Sequence, residues 1–143
     1  MVVRRLVESD IDILISFVRR EEPFIEFKKN VAERYCCSEK LFGVQTYGVF
    51  CESKLVSIMT ATFSYVFPNE SMQTGKVVYI SGVYTMERFR NEGYASALIE
   101  EIERDAKLFG ADYLCCDSVS NGLYLKNGFV LASAGETKLW KEL

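Results

Sequence analysis

Two hydrophobic rhythms take turns along the chain. Apolar and β-branched residues in alternation or in short unbroken runs predict strands at Val2–Leu6, Thr46–Glu52, Leu55–Tyr65, Lys76–Thr85, Tyr113–Asp117, Phe129–Ser133 and Thr137–Leu143. Between them the spacing turns helical. Ile11, Leu14, Ile15 and Val18 form the stripe of a helix starting at Ser9, with Asp12 at the capping-box position. Pro23 opens a second helix with Phe24, Phe27, Val31 and Tyr35 on one face. Ala95, Leu98, Ile99, Ile102 and Ala106 mark a third, stopped by Gly110. A short fourth runs from Ser118 to Lys126 and ends at Asn127-Gly128.

The resulting order is βααβββαβαββ. Glu52-Ser53-Lys54 is a tight turn between antiparallel strands, and a closing hairpin turns about Ala134-Gly135. The strand at Lys76–Thr85, the third helix and the strand at Tyr113–Asp117 form a crossover, so those two strands should run parallel. Gly82 inside the first of them predicts a bulge or a close backbone approach. The fold class expected is α/β, with a mixed central sheet of about seven strands and about four helices.

Composition narrows the class. A chain of 143 residues suits one core, so a single domain over 1–143 is expected. With 49% hydrophobic and 26% charged residues it reads as a soluble globular protein. The net charge is −3 and basic residues are dispersed, so no nucleic-acid partner is expected. No apolar run reaches membrane-spanning length and the N-terminus has no apolar signal region, which predicts a cytoplasmic protein without a membrane partner. Its 5 cysteines show no Cys-x-x-Cys spacing and histidine is absent, so no metal site is expected. Cys115-Cys116 lies in an apolar run and reads as buried structural thiol.

The chemistry concentrates in Arg88-Phe89-Arg90-Asn91-Glu92-Gly93-Tyr94-Ala95, between the central strand and the third helix. A helix N-terminus presents unpaired N–H groups and the positive end of the macrodipole, a ready site for phosphate. Gly93 lets an anion approach the backbone, and Arg88 and Arg90 add charge. No Gly-Lys-Ser/Thr closes a P-loop, and a dinucleotide fingerprint would need three spaced glycines. What remains, Arg-x-x-Gly-x-Ala within "GVYTMERFRNEGYASALIEEI", resembles the acyl-CoA pyrophosphate loop of the GNAT superfamily of N-acetyltransferases. Downstream, "SNGLYLKNGF" resembles that family's second hallmark, in the family's order and at about its separation.

The resemblance implies an N-acetyltransferase that moves an acetyl group from acetyl-CoA to a primary amine of a small molecule or protein, working as a monomer or homodimer. Cofactor binding would fall to Val83, Tyr84 and Thr85 on the strand and to Arg90, Asn91, Glu92, Gly93, Tyr94, Ala95 and Ser96 in the loop and helix start. Asp117 and Ser120 would add contacts after the second strand, and Tyr124 matches the family's general acid. Three departures stand out. Thr85-Met86-Glu87 replaces a frequent Val-x-Pro, Asp117 stands where many members carry Asn, and no carboxylate lies within Val77–Tyr84. A base would then be Ser81 or Tyr79 through water, or absent. The missing carboxylate keeps a second reading open, an acyl-CoA-binding module without turnover. The first helical pair would border the acceptor; its mixed charges, Glu21, Glu22 and Glu26 against Lys28 and Lys29, read as a solvated face.

Overall fold

Glu52 and Ser53 both take left-handed backbone, with φ of 51° and 65°, as a two-residue turn between right-twisted strands demands. They join β2 (Gly43–Cys51) to β3 (Lys54–Tyr65), the longest strand of the sheet. In the computed structural model, which describes residues 1–36, 42–118, 120–132 and 137–143, the remaining strands are β1 (Val2–Arg5), β4 (Lys76–Thr85), β5 (Tyr113–Asp117), β6 (Val130–Leu131) and β7 (Lys138–Glu142). They form one seven-stranded sheet in the order β1-β2-β3-β4-β5-β7-β6. β4 and β5 are parallel and the other neighbours antiparallel, as the crossover reading expects. Helices α1 (Ile11–Glu21), α2 (Lys29–Ala32), α3 (Tyr94–Phe109) and α4 (Gly122–Lys126) complete the expected α/β order.

The strands' period of two sends alternate residues to opposite faces. Tyr47, Met59, Phe63, Val78 and Ile80 pack with Leu98, Ile99 and Ile102 of α3 in one fully buried cluster. Phe50 and Ile58 instead join Leu6, Leu14 and Phe17 in a second cluster with α1. Helix α3 stops at Gly110, whose φ of 86° lets it close the last turn onto the Ala106 and Lys107 carbonyls.

The sequence reading needs correction in three places. The side chain that holds the entry to α1 is Asp10, not Asp12. Its carboxylate accepts the Val7 N–H at 2.8 Å and both Arg4 guanidinium nitrogens at 2.7 and 3.0 Å, within a short 3-10 turn over Glu8–Asp10. The Arg4 hydrogen bond holds this carboxyl below its usual range despite burial. The second helix begins at Lys29 rather than Pro23, because the face it was expected to bury has nothing to pack on at its start. Phe24 is 97% exposed, and only further on does Phe27 meet a ring, that of Tyr35 at 5.9 Å. The fourth helix is shorter too, with Ser118 and Ser120 outside it. The expected turn at Ala134-Gly135 lies outside the described residues.

Candidate active site

The site begins where two parallel strands part. Pairing of β4 with β5 runs from Val77–Tyr113 to Ile80–Cys116 and then stops, while pairing of β4 with β3 continues to Thr85. Gly82, with φ of 56°, sits at the register shift in that second ladder, so the expected bulge is present. Beyond it, the Met86 N–H bonds to the Val56 carbonyl at 2.9 Å and the Ser57 hydroxyl donates to the Tyr84 carbonyl at 3.3 Å. Backbone groups of alternate residues in a strand point to opposite sides. Tyr84 and Met86 therefore turn toward β3, and Val83 and Thr85 turn their N–H and C=O groups into the gap.

The strand leads through a 3-10 turn at Glu87–Phe89 into the loop. Asn91 and Gly93 have φ of 62° and 82°, and the left-handed Gly93 is the residue from which α3 springs. No side chain caps that helix and its first turn holds no acidic residue, so the orphan N–H groups of its opening turn stay available. A Cβ built on Gly93 would have no atom within 4 Å, so the space in front of it is open.

Gap and loop share one cleft of about 520 Å³. Val83, Tyr84 and Thr85 form its strand wall, Arg90, Asn91 and Gly93 its loop, and Tyr94, Ala95 and Ser96 its helical end. These nine expected cofactor residues are thus brought together. Arg90 folds back, its Nε donating to the Thr85 carbonyl at 3.0 Å. Asn127 ties α4 to α3, donating through Nδ2 to the Ser96 hydroxyl at 3.0 Å and to the Leu123 carbonyl at 2.7 Å. Four expected residues lie off the cleft wall. Glu92 is exposed on the loop, and Ser120 is exposed, its carbonyl accepting the Ser118 hydroxyl at 2.7 Å. Asp117 accepts hydrogen bonds from Tyr79 at 3.4 Å and Thr137 at 2.9 Å. Tyr124 is buried in the α3-side core, its ring edge-on to Phe129 at 5.4 Å.

The chain from 12 to 129 matches the Acetyltransferase (GNAT) family. It belongs to that family. An aminoglycoside N(6')-acetyltransferase type 1 of Acinetobacter genomosp. 13 is 27% identical over 79 residues, 52% of this chain; the match spans only 53%, about half the length, of that curated relative. Among solved structures, a predicted acetyltransferase of Clostridium acetobutylicum with acetyl-CoA superposes with a TM-score of 0.72 at 19% identity, over 93% of this chain and 92% of the other. The PaiA N-acetyltransferase of Thermoplasma acidophilum in complex with coenzyme A gives 0.73 at 18% identity, over 99% and 98%. At these identities the structural likeness is one of fold.

Within this GNAT chain, sequence reasoning passed over three charged cleft residues, besides the apolar Phe89 and Leu123. Glu21 and Glu22, read as part of a solvated face, line the cleft from the end of α1, and Lys126 lines it from the end of α4. Lys126 sits inside the second hallmark, three residues past Leu123, which also lines the cleft, so one helical turn links the two. The two glutamates carry no local signal. The electrostatics sort the remaining groups. Tyr84 is raised above the ordinary tyrosine range by burial and then by the field of Glu22. Burial, with smaller contributions from Cys116 and Tyr79, pushes Tyr124 up to about 12. Burial also lifts Cys115 to about 11 and Cys116 to about 12, which keeps both as inert thiols at neutral pH. Tyr79, raised first by burial and then by Asp117, stays a hydrogen-bond donor and is poorly suited to take a proton. Among the described residues no group of His, Cys, Asp and Glu could hold a metal ion, and no helix is long and apolar enough to cross a membrane.

Proposed function

We propose that the protein, as a single GNAT domain, transfers an acetyl group from acetyl-CoA to the nitrogen of a primary amine by direct attack. The observation that carries this reading is the β4 edge beyond Ile80, no longer paired with β5, which leads through the loop to the uncapped start of α3; Val83 faces the gap, and the Thr85 carbonyl is held by Arg90. A ligand with an extended amide-bearing arm and a pyrophosphate fits that shape. Its arm can pair with the strand edge as an added strand, and its phosphates can take the helix N–H groups. Arg90 and Lys126 supply cations nearby, and membership of the family supports the assignment.

In the reaction the amine lone pair attacks the thioester carbon. Charge grows on the carbonyl oxygen, where N–H groups of the β4 edge can stabilise it. The carbon–sulfur bond then breaks, and the departing thiolate takes a proton. Tyr124 is the proposed donor, and the proton that the acylated nitrogen sheds returns to it. At about 12 its hydroxyl is firmly protonated at neutral pH, and the same dry surroundings that raise it also raise the thiolate's demand for a proton. Glu22, in the cleft lining and close enough to Tyr84 to act on it, is the proposed carboxylate that draws the incoming ammonium and accepts its proton. It fills the role that no residue of Val77–Tyr84 offers.

The other reading, an acyl-CoA-binding module without turnover, draws on the lack of any carboxylate within Val77–Tyr84 and on Tyr79, whose hydroxyl is already donated to Asp117. Thiol release from acetyl-CoA across a panel of primary amines separates the two. Turnover with any amine supports the transferase. A raised Tm with acetyl-CoA and no thiol release with any amine overturns it in favour of the binding module.

A further inference from the structure

Below α1, on the face of the sheet away from α3, three hydroxyl side chains stand in a row. Thr46 of β2 pairs directly with Thr60 of β3, and Thr60 with Ser81 of β4. Directly paired residues project on the same side, so the three hydroxyls form a ledge across three strands. At about 4.8 Å between strands the ledge spans roughly 10 Å. Around it the second core cluster is apolar, with Leu14, Val18 and Ile58. With Phe27 and Tyr35, the same residues line a pocket of about 170 Å³ with the ledge as its floor, and no charged side chain lines it among the described residues.

Two observations mark the pocket as made for a ligand. Thr46 is only 2% exposed, and its hydroxyl has no hydrogen-bond partner among the described residues. A buried hydroxyl left unpaired is costly, and a ligand that bonds to it removes that cost. The second is Gly82. A Cβ there would lie 3.1 Å from the Thr60 hydroxyl, so the glycine keeps the middle of the ledge uncovered. The outer end of the ledge, Ser81-Gly82, immediately precedes Val83–Thr85, the stretch that walls the cleft.

We propose that this pocket receives the body of the acceptor: a compact amine whose far end carries a neutral hydrogen-bonding group, a hydroxyl or an amide. The proposal rests on the transferase reading. The reacting nitrogen lies near Ser81 and Gly82, beside the acyl group, and the neutral polar end reaches Thr46. The volume admits about five or six water-sized groups, at roughly 30 Å³ each. A second ammonium or a carboxylate at the buried end would find no counter-charge and would stay desolvated. The chemistry therefore disfavours polycationic acceptors in this pocket, aminoglycosides among them.

Four matched probes test this: 4-amino-1-butanol, pentylamine, 1,4-diaminobutane and 4-aminobutyrate. Their binding is measured by calorimetry on the protein alone and with CoA, and their turnover by thiol release from acetyl-CoA. The amino alcohol should bind about tenfold more tightly than pentylamine, which has a methyl in place of the hydroxyl, and the doubly charged probes should bind worst. Thr46→Val, of nearly equal shape, should bring the amino-alcohol-to-pentylamine ratio close to one, and Thr46→Ser should preserve it. Thr60→Val repeats the test at the next hydroxyl if the first variant does not fold. Equal binding of the two neutral-ended probes to the wild type, tightest binding of either charged probe, or an unchanged ratio in a folded Thr46→Val protein overturns the proposal. Thr46-dependent binding of the amino alcohol without thiol release upholds the pocket and sinks the transfer. Thiol release with no discrimination among the probes does the reverse.

Discussion

The two halves of β4 are one continuous strand with opposite fates. From Lys76 to Ile80 it is paired on both sides, and Val77, Val78 and Ile80 are buried. From Ser81 to Thr85 it is paired to β3 alone, and none of its residues is buried. The bulge at Gly82 separates them. An unpaired strand edge is normally a hazard at a sheet margin, because it invites another chain to pair with it. Here the free edge lies within the sheet, where β5 has turned away, and it opens only into a cleft. In the function proposed above, the same backbone groups that would be a liability outside serve as a template for one extended ligand. The buried half holds that edge in register.

This division can be broken from either side. The largest effect belongs to the buried half. Ile80→Ala should cost about 2–5 kcal/mol in urea unfolding, whereas Val83→Ala, whose side chain is half-buried, should cost less than about 1.5 kcal/mol. Equal losses would erase the contrast between framework and edge. At the far end of the edge, Gly93→Val puts a branched side chain into left-handed backbone, which costs roughly 1–2 kcal/mol locally, and into the space before the helix start. CoA affinity by calorimetry should fall more than about tenfold with the sheet intact; undiminished affinity would sink the loop's role. Tyr124→Phe keeps the ring against Phe129 and removes only the hydroxyl. It should lower kcat at least about tenfold with little change in CoA binding. A wild-type kcat under conditions where chemistry limits the rate would return Tyr124 to the core.

The smallest effects concern the partner strand β5. Cys115, Cys116 and Tyr124 hold their protons in the folded state to about 11, 12 and 12, against 9.0, 9.0 and 10.0 as reference values. Above about pH 9 the unfolded chain releases these protons first, so it binds fewer than the folded chain and stability falls as pH rises, until the folded groups titrate near 12. Urea midpoints measured from pH 8 to 11 should decline, and replacing Cys115 and Cys116 with Ala should flatten the early part of that decline. At neutral pH each replacement should cost roughly 1 kcal/mol and leave turnover intact. A folded, inactive double variant would reopen covalent chemistry at a thiol.

Much of the candidate site is legible in the sequence because its signals are local. Strand periodicity ended at Thr85, helical periodicity began at Ala95, and the glycine between them had to lie where backbone takes a positive φ. The second hallmark made Tyr124 a candidate by its spacing from Gly128-Phe129 alone, though nothing in that spacing says whether its hydroxyl meets the cleft or the core. Asp10 and Asp12 look equally able to hold a helix start, and the choice went to the one that Arg4 could reach from β1. The second helix had its periodicity but no surface for Phe24, and periodicity without a partner does not make a helix. The ledge of Thr46, Thr60 and Ser81 and the entry of Glu21 and Glu22 into the cleft join residues tens of positions apart in the chain. Their meeting depends on strand register, on a one-residue bulge at Gly82 and on how α1 lies across the sheet. Sequence patterns specify which residues seek burial and which turns close; register and packing, which follow from the whole core at once, decide which distant side chains share a wall.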